Sequence, residues 1–201
     1  MKGVLPEDSR EWMTTGTAAF LDVVDRLSDH DLDAATSLPG WSRRHIVAHV
    51  HFNARALGRL TSWAATGTEQ RMYPSPEQRT AEIENGALLP AGELRRLVRD
   101  SAAALATALD ALSADAWRAT VVTAQGRSVA ATEIPWMRVR EVAVHAIDLD
   151  AGVGFADLPS ELTAALLADV IGRRVAAGEG PALAGWLTGR TAEAPRLGPW
   201  L

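Results

Sequence analysis

Cysteine is absent from this 201-residue chain, which excludes disulfides, thiolate metal ligands and a protein thiol nucleophile. Any thiol chemistry performed here uses a thiol that is brought in. Lysine is nearly absent as well. Lys2 is the only one, and an amine so close to the terminus argues against a Schiff base or a covalently held pyridoxal cofactor. No apolar run approaches the ~20 residues needed to span a bilayer. The opening Met1-Lys-Gly-Val-Leu-Pro-Glu-Asp also lacks the apolar core of a signal peptide, so a cytoplasmic protein without membrane contact is expected. The Gly-x-Gly pairs at Gly152 and Gly178 lack the further glycines and the preceding strand of a phosphate-cradling loop. No Gly-x-Ser-x-Gly elbow marks a hydrolase nucleophile. A basic excess is missing too: the net charge is -5, and no nucleic-acid partner is expected. The pairs Arg43-Arg44, Arg95-Arg96 and Arg173-Arg174 are dispersed and read as solvated helix surface.

What the chain does have is enough apolar content, 47%, to bury a real core. The fold class expected is mainly α. Apolar residues recur at helical spacing over about residues 8–28, 42–67 and 91–112, with a shorter helix opening at Pro74-Ser-Pro, and these four can enclose one core. Between Trp117 and Ala131 a glycine separates short β-branched runs, as in a small hairpin. A helix over 134–150 follows, then one over about 159–177, a break at Gly178-Glu-Gly-Pro, and a short apolar piece around Trp186. The division expected is residues 1–152 as a bundle and 153–201 as an abbreviated, mostly helical appendage. Nineteen of the twenty basic residues are arginine, the side chain suited to bidentate recognition of carboxylates.

The chemistry concentrates at His49, Glu141 and His145. Two imidazoles and one carboxylate are the ligand set of an open, catalytic zinc site, which keeps a position for water, a thiol or a substrate. Glu141 and His145 stand at i and i+4, one turn apart on one helix face. They border the stripe of Val139, Val142, Ala146 and Leu149, as inward-facing ligands of a bundle do. His49 lies on the side of Ile46, Val50, Asn53, Leu57 and Leu60. The plainer reading is a chance Glu-x-x-x-His pair and a hydrogen-bonded core histidine. Among the other candidates, His45, one turn before His49, either supports the ligand from behind or, on the simpler reading, caps or faces solvent near a helix start, and His30 reads as an exposed loop residue. His51, about 200 degrees round the helix from His49 at ~100 degrees per residue, does not reach the same metal. Asp148 either orients His145 or lies on the surface near the helix end. Trp41 can pack on the opening turn that Ser42 caps. Trp136 and Trp186 are the tryptophans to seek near a cavity.

The segments Gly40-Trp-Ser-Arg-Arg-His-Ile-Val-Ala-His-Val and Arg138-Val-Arg-Glu-Val-Ala-Val-His-Ala-Ile-Asp-Leu-Asp resemble the mycothiol-dependent maleylpyruvate isomerases of the DinB-like metalloenzyme superfamily. Met72-Tyr-Pro-Ser-Pro-Glu-Gln-Arg and Thr123-Ala-Gln-Gly-Arg-Ser-Val are similar to that isomerase specifically, and the resemblance covers about residues 11–150. It implies a DinB-like four-helix bundle with a short C-terminal appendage, with His49, Glu141 and His145 on the family's zinc ligands. It also implies isomerisation of maleylpyruvate to fumarylpyruvate in gentisate degradation, with mycothiol as a thiol that is not consumed. Reversible addition of a thiolate turns the cis double bond into a single bond, permits rotation and releases the trans product. Zinc, or another divalent metal, would favour the thiolate at neutral pH. Gly189-Arg190 resembles a family Gly-Arg whose arginine is implicated in catalysis, so Arg190 is the first candidate for that role. The family's sheet strands before this Gly-Arg are not seen here.

A dicarboxylate substrate requires local positive charge. After Arg190, the candidates are Arg79 and Arg127, with Tyr73, the sole tyrosine, as a further pocket residue. The rival readings are a mycothiol S-transferase acting on another electrophile, a metal-dependent hydrolase, and a non-catalytic metal-binding bundle. A monomer is expected.

Overall fold

Helix ends in this protein sit where local chemistry starts or stops them. In the computed structural model, which describes residues 6–198, α1 covers Pro6–Arg26. After it, the Asp31 carboxylate accepts from Ser28 Oγ at 2.6 Å and holds the turn. α2, Arg43–Thr66, starts behind Ser42 and stops at Gly67, whose φ of 74° is the left-handed conformation that ends helices and favours glycine. α3, Pro76–Ala87, has proline in its first turn behind Ser75, whose hydroxyl accepts from the Gln78 amide at 3.2 Å. α4 covers Ala91–Asp110, and α5 is a short piece, Ala114–Arg118, capped by Ser113. The expected hairpin is present: β1, Thr120–Val122, pairs antiparallel with β2, Ser128–Ala130, placing Val121 opposite Val129. α6 covers Ile134–Asp148, α7 Ser160–Ala176 and α8 Gly180–Leu187.

Four helices close a ring: α1 packs on α6, α6 on α2, α2 on α4 and α4 on α1. This membership differs from that expected from the sequence, in which α3 is one of the four helices enclosing the core. α3 lies against α2 on the outside, and of its 12 residues only Ile83, Gly86 and Ala87 are buried. That stripe is too narrow to complete a bundle, and α6 takes the fourth place. The core joins Phe20, Val23, Val24 and Leu27 of α1 to Ile46, Val47 and Val50 of α2, Leu94 and Val98 of α4, and Val142 and Ala146 of α6, with Leu149 just past its end. Each such larger aliphatic or aromatic side chain contributes roughly 1.5–3 kcal/mol by leaving water. This core surrounds the face of α2 that carries His49 and the face of α6 that carries Glu141.

The arginine pairs are not all solvated surface. Arg96 and Arg173 do pair locally, with Asp100 and Asp169. Arg43, in contrast, donates to the carbonyls of Leu149 (2.5 Å) and Asp150 (2.6 Å) and to that of Asp31 (3.1 Å). Arg44 reaches the Leu89 carbonyl at 2.9 Å and pairs with Asp33 at 2.5 Å. Arg95 reaches the carbonyls of Val24 and Leu27 at 3.3 and 2.7 Å and pairs with Asp29 at 2.5 Å. The last carbonyls of a helix have no partner within it, and a guanidinium presents several donors in a fixed plane. Arginine therefore ties helix ends to the next element, a role that composition does not reveal.

The chain divides into two compact units, the second beginning at Phe155. In that second unit α7 packs on α8. Arg174 Nη1 donates to Glu179 Oε2 at 3.1 Å and to the Gly198 carbonyl at 2.6 Å, tying the segment after α8 to the turn after α7. Among the described residues no helix is long and apolar enough to cross a membrane.

α1 and α6 approach closely at Gly16, where an added Cβ would stand 2.9 Å from Val142 Cγ2. Val142 is fully buried and stiff at χ1. Gly16→Ala is expected to cost about 1–3 kcal/mol in packing, outweighing the ~1 kcal/mol that alanine gains in helix propensity. Gly58→Ala on α2, where a Cβ meets nothing within 4 Å, is expected to stabilise by about 0.5–1 kcal/mol. Urea midpoints of the two variants must move in opposite directions.

Candidate metal centre

The turn before α2 sets the first wall of the site. Gly40 takes a φ of 79°, the Trp41 amide donates to the Leu38 carbonyl at 3.0 Å, and the Trp41 carbonyl accepts from the Thr36 amide and hydroxyl at 3.1 and 2.9 Å. Trp41 is thereby fixed. His45 closes the start of the helix, its Nδ1 accepting from the Ser42 amide at 3.1 Å while its Nε2 lies 3.3 Å from Glu84 Oε2. His45 is a capping residue, one turn short of the site. His49, the next histidine on that face, is buried.

α6 supplies the opposite wall. His49 Nε2 lies 2.7 Å from Glu141 Oε2, and His145 Nε2 lies 3.5 Å from the same oxygen. The ligand atoms of His49, Glu141 and His145 all fall within 4.8 Å of one another. The two imidazoles meet edge to face with centroids 4.8 Å apart. Asp148 Oδ2 is 2.8 Å from His145 Nδ1, so Asp148 accepts the Nδ1 proton and leaves Nε2 turned inward, which is how an outer carboxylate fixes the tautomer of a ligating imidazole. Trp41 covers the cluster, with ring centroids 5.4 Å from His49 and 6.5 Å from His145.

Proton affinities follow from this geometry. Burial pushes the Glu141 carboxyl up, but hydrogen bonds from His145 and His49 outweigh it and hold the group well below the usual carboxylate range. Burial pulls the His145 imidazole down, yet hydrogen bonds with Asp148 and Glu141 prevail and push it up to about 9. His49 is lowered by burial, only partly offset by Glu141. An ionised carboxylate set between two imidazoles draws positive charge to it, and with no cation bound the His145 imidazolium supplies that charge. Two imidazole nitrogens, once His145 has given up its Nε2 proton, and one carboxylate oxygen are a donor set that fits a divalent cation such as zinc, with coordination positions to spare.

Of the other candidates, the structure brings Arg79 and Tyr73 to this cluster. Arg79 Nη2 is 3.4 Å from His49 Nδ1. The guanidiniums of Arg79 and Arg59 each stand 5.8 Å from the centre of the Tyr73 ring. Burial raises the Tyr73 phenol, so it stays protonated near neutrality. Arg127 lies in the hairpin turn, where its amide donates to Thr123 Oγ1 at 3.2 Å and its carbonyl accepts from the Thr123 amide at 2.9 Å, and its side chain is exposed. Arg190 belongs to the second unit, in the turn after α8, and donates to the Thr188 carbonyl at 2.5 Å. His51 reaches away from the cluster, its Nδ1 2.9 Å from the Leu97 carbonyl and 3.0 Å from Ser101 Oγ on α4. His30 is exposed. Trp136 packs edge-on against Trp12 with centroids 6.1 Å apart. Trp186 is 41% exposed in the second unit. The tryptophan at the site is Trp41, and its signal in the sequence was its position four and eight residues before His45 and His49.

The comparisons with known proteins agree with this geometry. Residues 13–150 match the family of the mycothiol maleylpyruvate isomerase N-terminal domain. A crystal structure of a mycothiol-dependent maleylpyruvate isomerase superposes with a TM-score of 0.81 at 39% identity, over 85% of this chain and 72% of that one. The chain belongs to the mycothiol-dependent maleylpyruvate isomerase family. A variant of such an isomerase with one histidine replaced by alanine superposes equally well, with a TM-score of 0.81 at 38% identity. A search of curated proteins finds no significant match. Within the matched region, the Gly40-Trp-Ser-Arg-Arg-His segment is a brace as well as a family mark. Trp41 covers the imidazoles, His45 caps α2, and Arg43 ties the start of α2 to the carbonyls that end α6.

Removing the partner of His145 Nδ1 tests the site without touching a ligand. Asp148→Ala is expected to weaken zinc binding by about 10–100-fold with helical content unchanged. His145→Ala is expected to abolish it. Competition with a chromophoric chelator measures both.

Proposed function

We propose that this protein isomerises maleylpyruvate to fumarylpyruvate with mycothiol as its thiol cofactor, at a divalent metal, zinc by preference, held by His49, Glu141 and His145. The observation that carries the reading is the convergence of these three side chains in a chain 39% identical to a structure of that isomerase. When bound, the metal and mycothiol together supply a nucleophilic sulfur that adds to and leaves the double bond, chemistry for which the chain, having no cysteine, offers no thiol of its own.

The protein's residues set the conditions for that chemistry. Asp148 holds the Nδ1–H of His145 and so turns Nε2 toward the site, where a bound cation would take the place of the Nε2 proton. Trp41 excludes water from one side of the imidazoles, which strengthens every charge interaction beside it. Arg79, held between His49 and the Tyr73 ring, offers a fixed cation to a substrate carboxylate or to the enolate oxygen that develops on addition. The Tyr73 phenol, kept protonated, is a second donor at that edge. Arg190, through the likeness of Gly189-Arg190 to the family's Gly-Arg, remains the first catalytic candidate, and Arg127, exposed on the hairpin, is a further cationic candidate. The place of the reaction is gentisate degradation, and the protein acts without a nucleic-acid or membrane partner, as a monomer in the cytoplasm.

Zinc-loaded protein is expected to turn over maleylpyruvate only when mycothiol is present, and His49→Ala to lose that activity together with its zinc. Arg79→Gln is expected to keep zinc but lose about a hundredfold or more in kcat, the scale of one removed oxyanion-type donor. Turnover without thiol sinks the reading in favour of hydrolysis by metal-activated water. Intact zinc and thiol with no turnover sinks it in favour of S-transfer to another electrophile.

A further inference from the structure

Arg138 is the largest fully buried side chain among the described residues, at 1% exposure. It stands one turn before Glu141 on α6 and crosses to α2, where Nη1 donates to the Val50 carbonyl at 2.7 Å and to Asn53 Oδ1 at 2.9 Å. Val50 directly follows His49. Both acceptors are neutral oxygens, so these hydrogen bonds leave the charge of the guanidinium intact. Burying such a charge is expensive, and burial draws the proton affinity of Arg138 down to about 10 against the pull of the Glu141 carboxylate. The side chain is still ionised near neutrality.

An apolar residue of similar size would fill the same space without that expense. Arginine does two things an apolar residue cannot. Its paired bonds to successive turns of α2 allow one register of α6 on α2, the register in which Glu141 and His145 face His49. It also adds a permanent positive charge beside the ligand carboxylate. Two neutral imidazoles and one carboxylate leave a divalent cation with one unit of excess positive charge, and Arg138 supplies another. In a chain whose net charge is -5, that makes the centre a local attractor for anions, the form in which a thiolate and a dicarboxylate arrive.

We propose that Arg138 is a positioning residue of the metal centre, pinning α6 to α2 at the level of His49 and holding the centre cationic toward its anionic ligands. This rests on the reading of His49, Glu141 and His145 as metal ligands. The test titrates metal-free wild type, Arg138→Met, Arg138→Lys and Asn53→Ala with zinc against a chromophoric chelator. A second titration uses cobalt(II), whose visible bands report coordination geometry. Arg138→Met and Asn53→Ala are expected to bind zinc about 10–100-fold more weakly and to shift the cobalt bands while keeping helical content. Arg138→Lys is expected to recover part of the affinity, because it restores the charge and one donor. Wild-type affinity and cobalt bands in Arg138→Met overturn the proposal. If that variant does not fold, the same result in both Arg138→Lys and Asn53→Ala overturns it. Failure of the wild type itself to bind zinc overturns the metal reading and this proposal together, whereas normal binding by the Arg138 variants overturns this proposal alone.

Discussion

A carboxylate held out of water between two imidazoles is the constraint around which this molecule is arranged. Glu141 meets His49 at 2.7 Å and His145 at 3.5 Å, and a lone ionised carboxyl in that position would be too costly to keep. Its stability depends on α2 and α6 meeting at one level and on the two imidazoles keeping their orientation. Asp148 fixes one imidazole from behind. Trp41, with its backbone held by Thr36 and Leu38, covers both. The site is thus built on helices rather than on loops, and its precision is the precision of helix packing.

The second theme is how arginine is used. A chain with one lysine places guanidiniums on main-chain carbonyls at the ends of helices. Arg43 does so at the end of α6, Arg44 at the Leu89 carbonyl between α3 and α4, and Arg95 near the end of α1. Arg59 does the same between helices, reaching the carbonyls of Arg71 and Met72 at 3.2 and 2.9 Å. Met72 is held from its other side, its sulfur 3.2 Å from the Ala124 amide of the hairpin. The loop so fixed presents Tyr73 between Arg59 and Arg79, so the cationic edge of the site inherits its rigidity from contacts well away from the ligands. A lysine carries one flexible ammonium and cannot hold two carbonyls in a plane.

Much of this was legible in the chain, because helices carry their geometry locally. The 3.6-residue period placed Glu141 and His145 on one face, set His51 apart from His49, and located most helix ends to within a few residues, with Ser42 and Gly67 as visible boundaries. The family motifs then coupled two helices that periodicity alone could not pair. Helix membership was not legible. α3 and α6 both read as helices, and only the width of the buried stripe, realised against neighbours, put α6 in the bundle and α3 outside it. Trp41 stands four and eight residues before His45 and His49 in the chain, but only packing places its ring over His49 and sets Trp136 against Trp12.

The sequence by itself determined the helical class, the donor types, the absence of a protein thiol and the spacing that puts two ligands one turn apart, since these depend on residues close in the chain. The tertiary structure decided which polar side chains found partners. Arg138 read as part of a motif until its contacts with Val50 and Asn53, 88 and 85 residues away, showed it buried. The same holds for Arg43, whose partners lie 106 and 107 residues on. Whether a charge ends in water or in the interior is set by distant segments that exclude the solvent, and no local pattern encodes that.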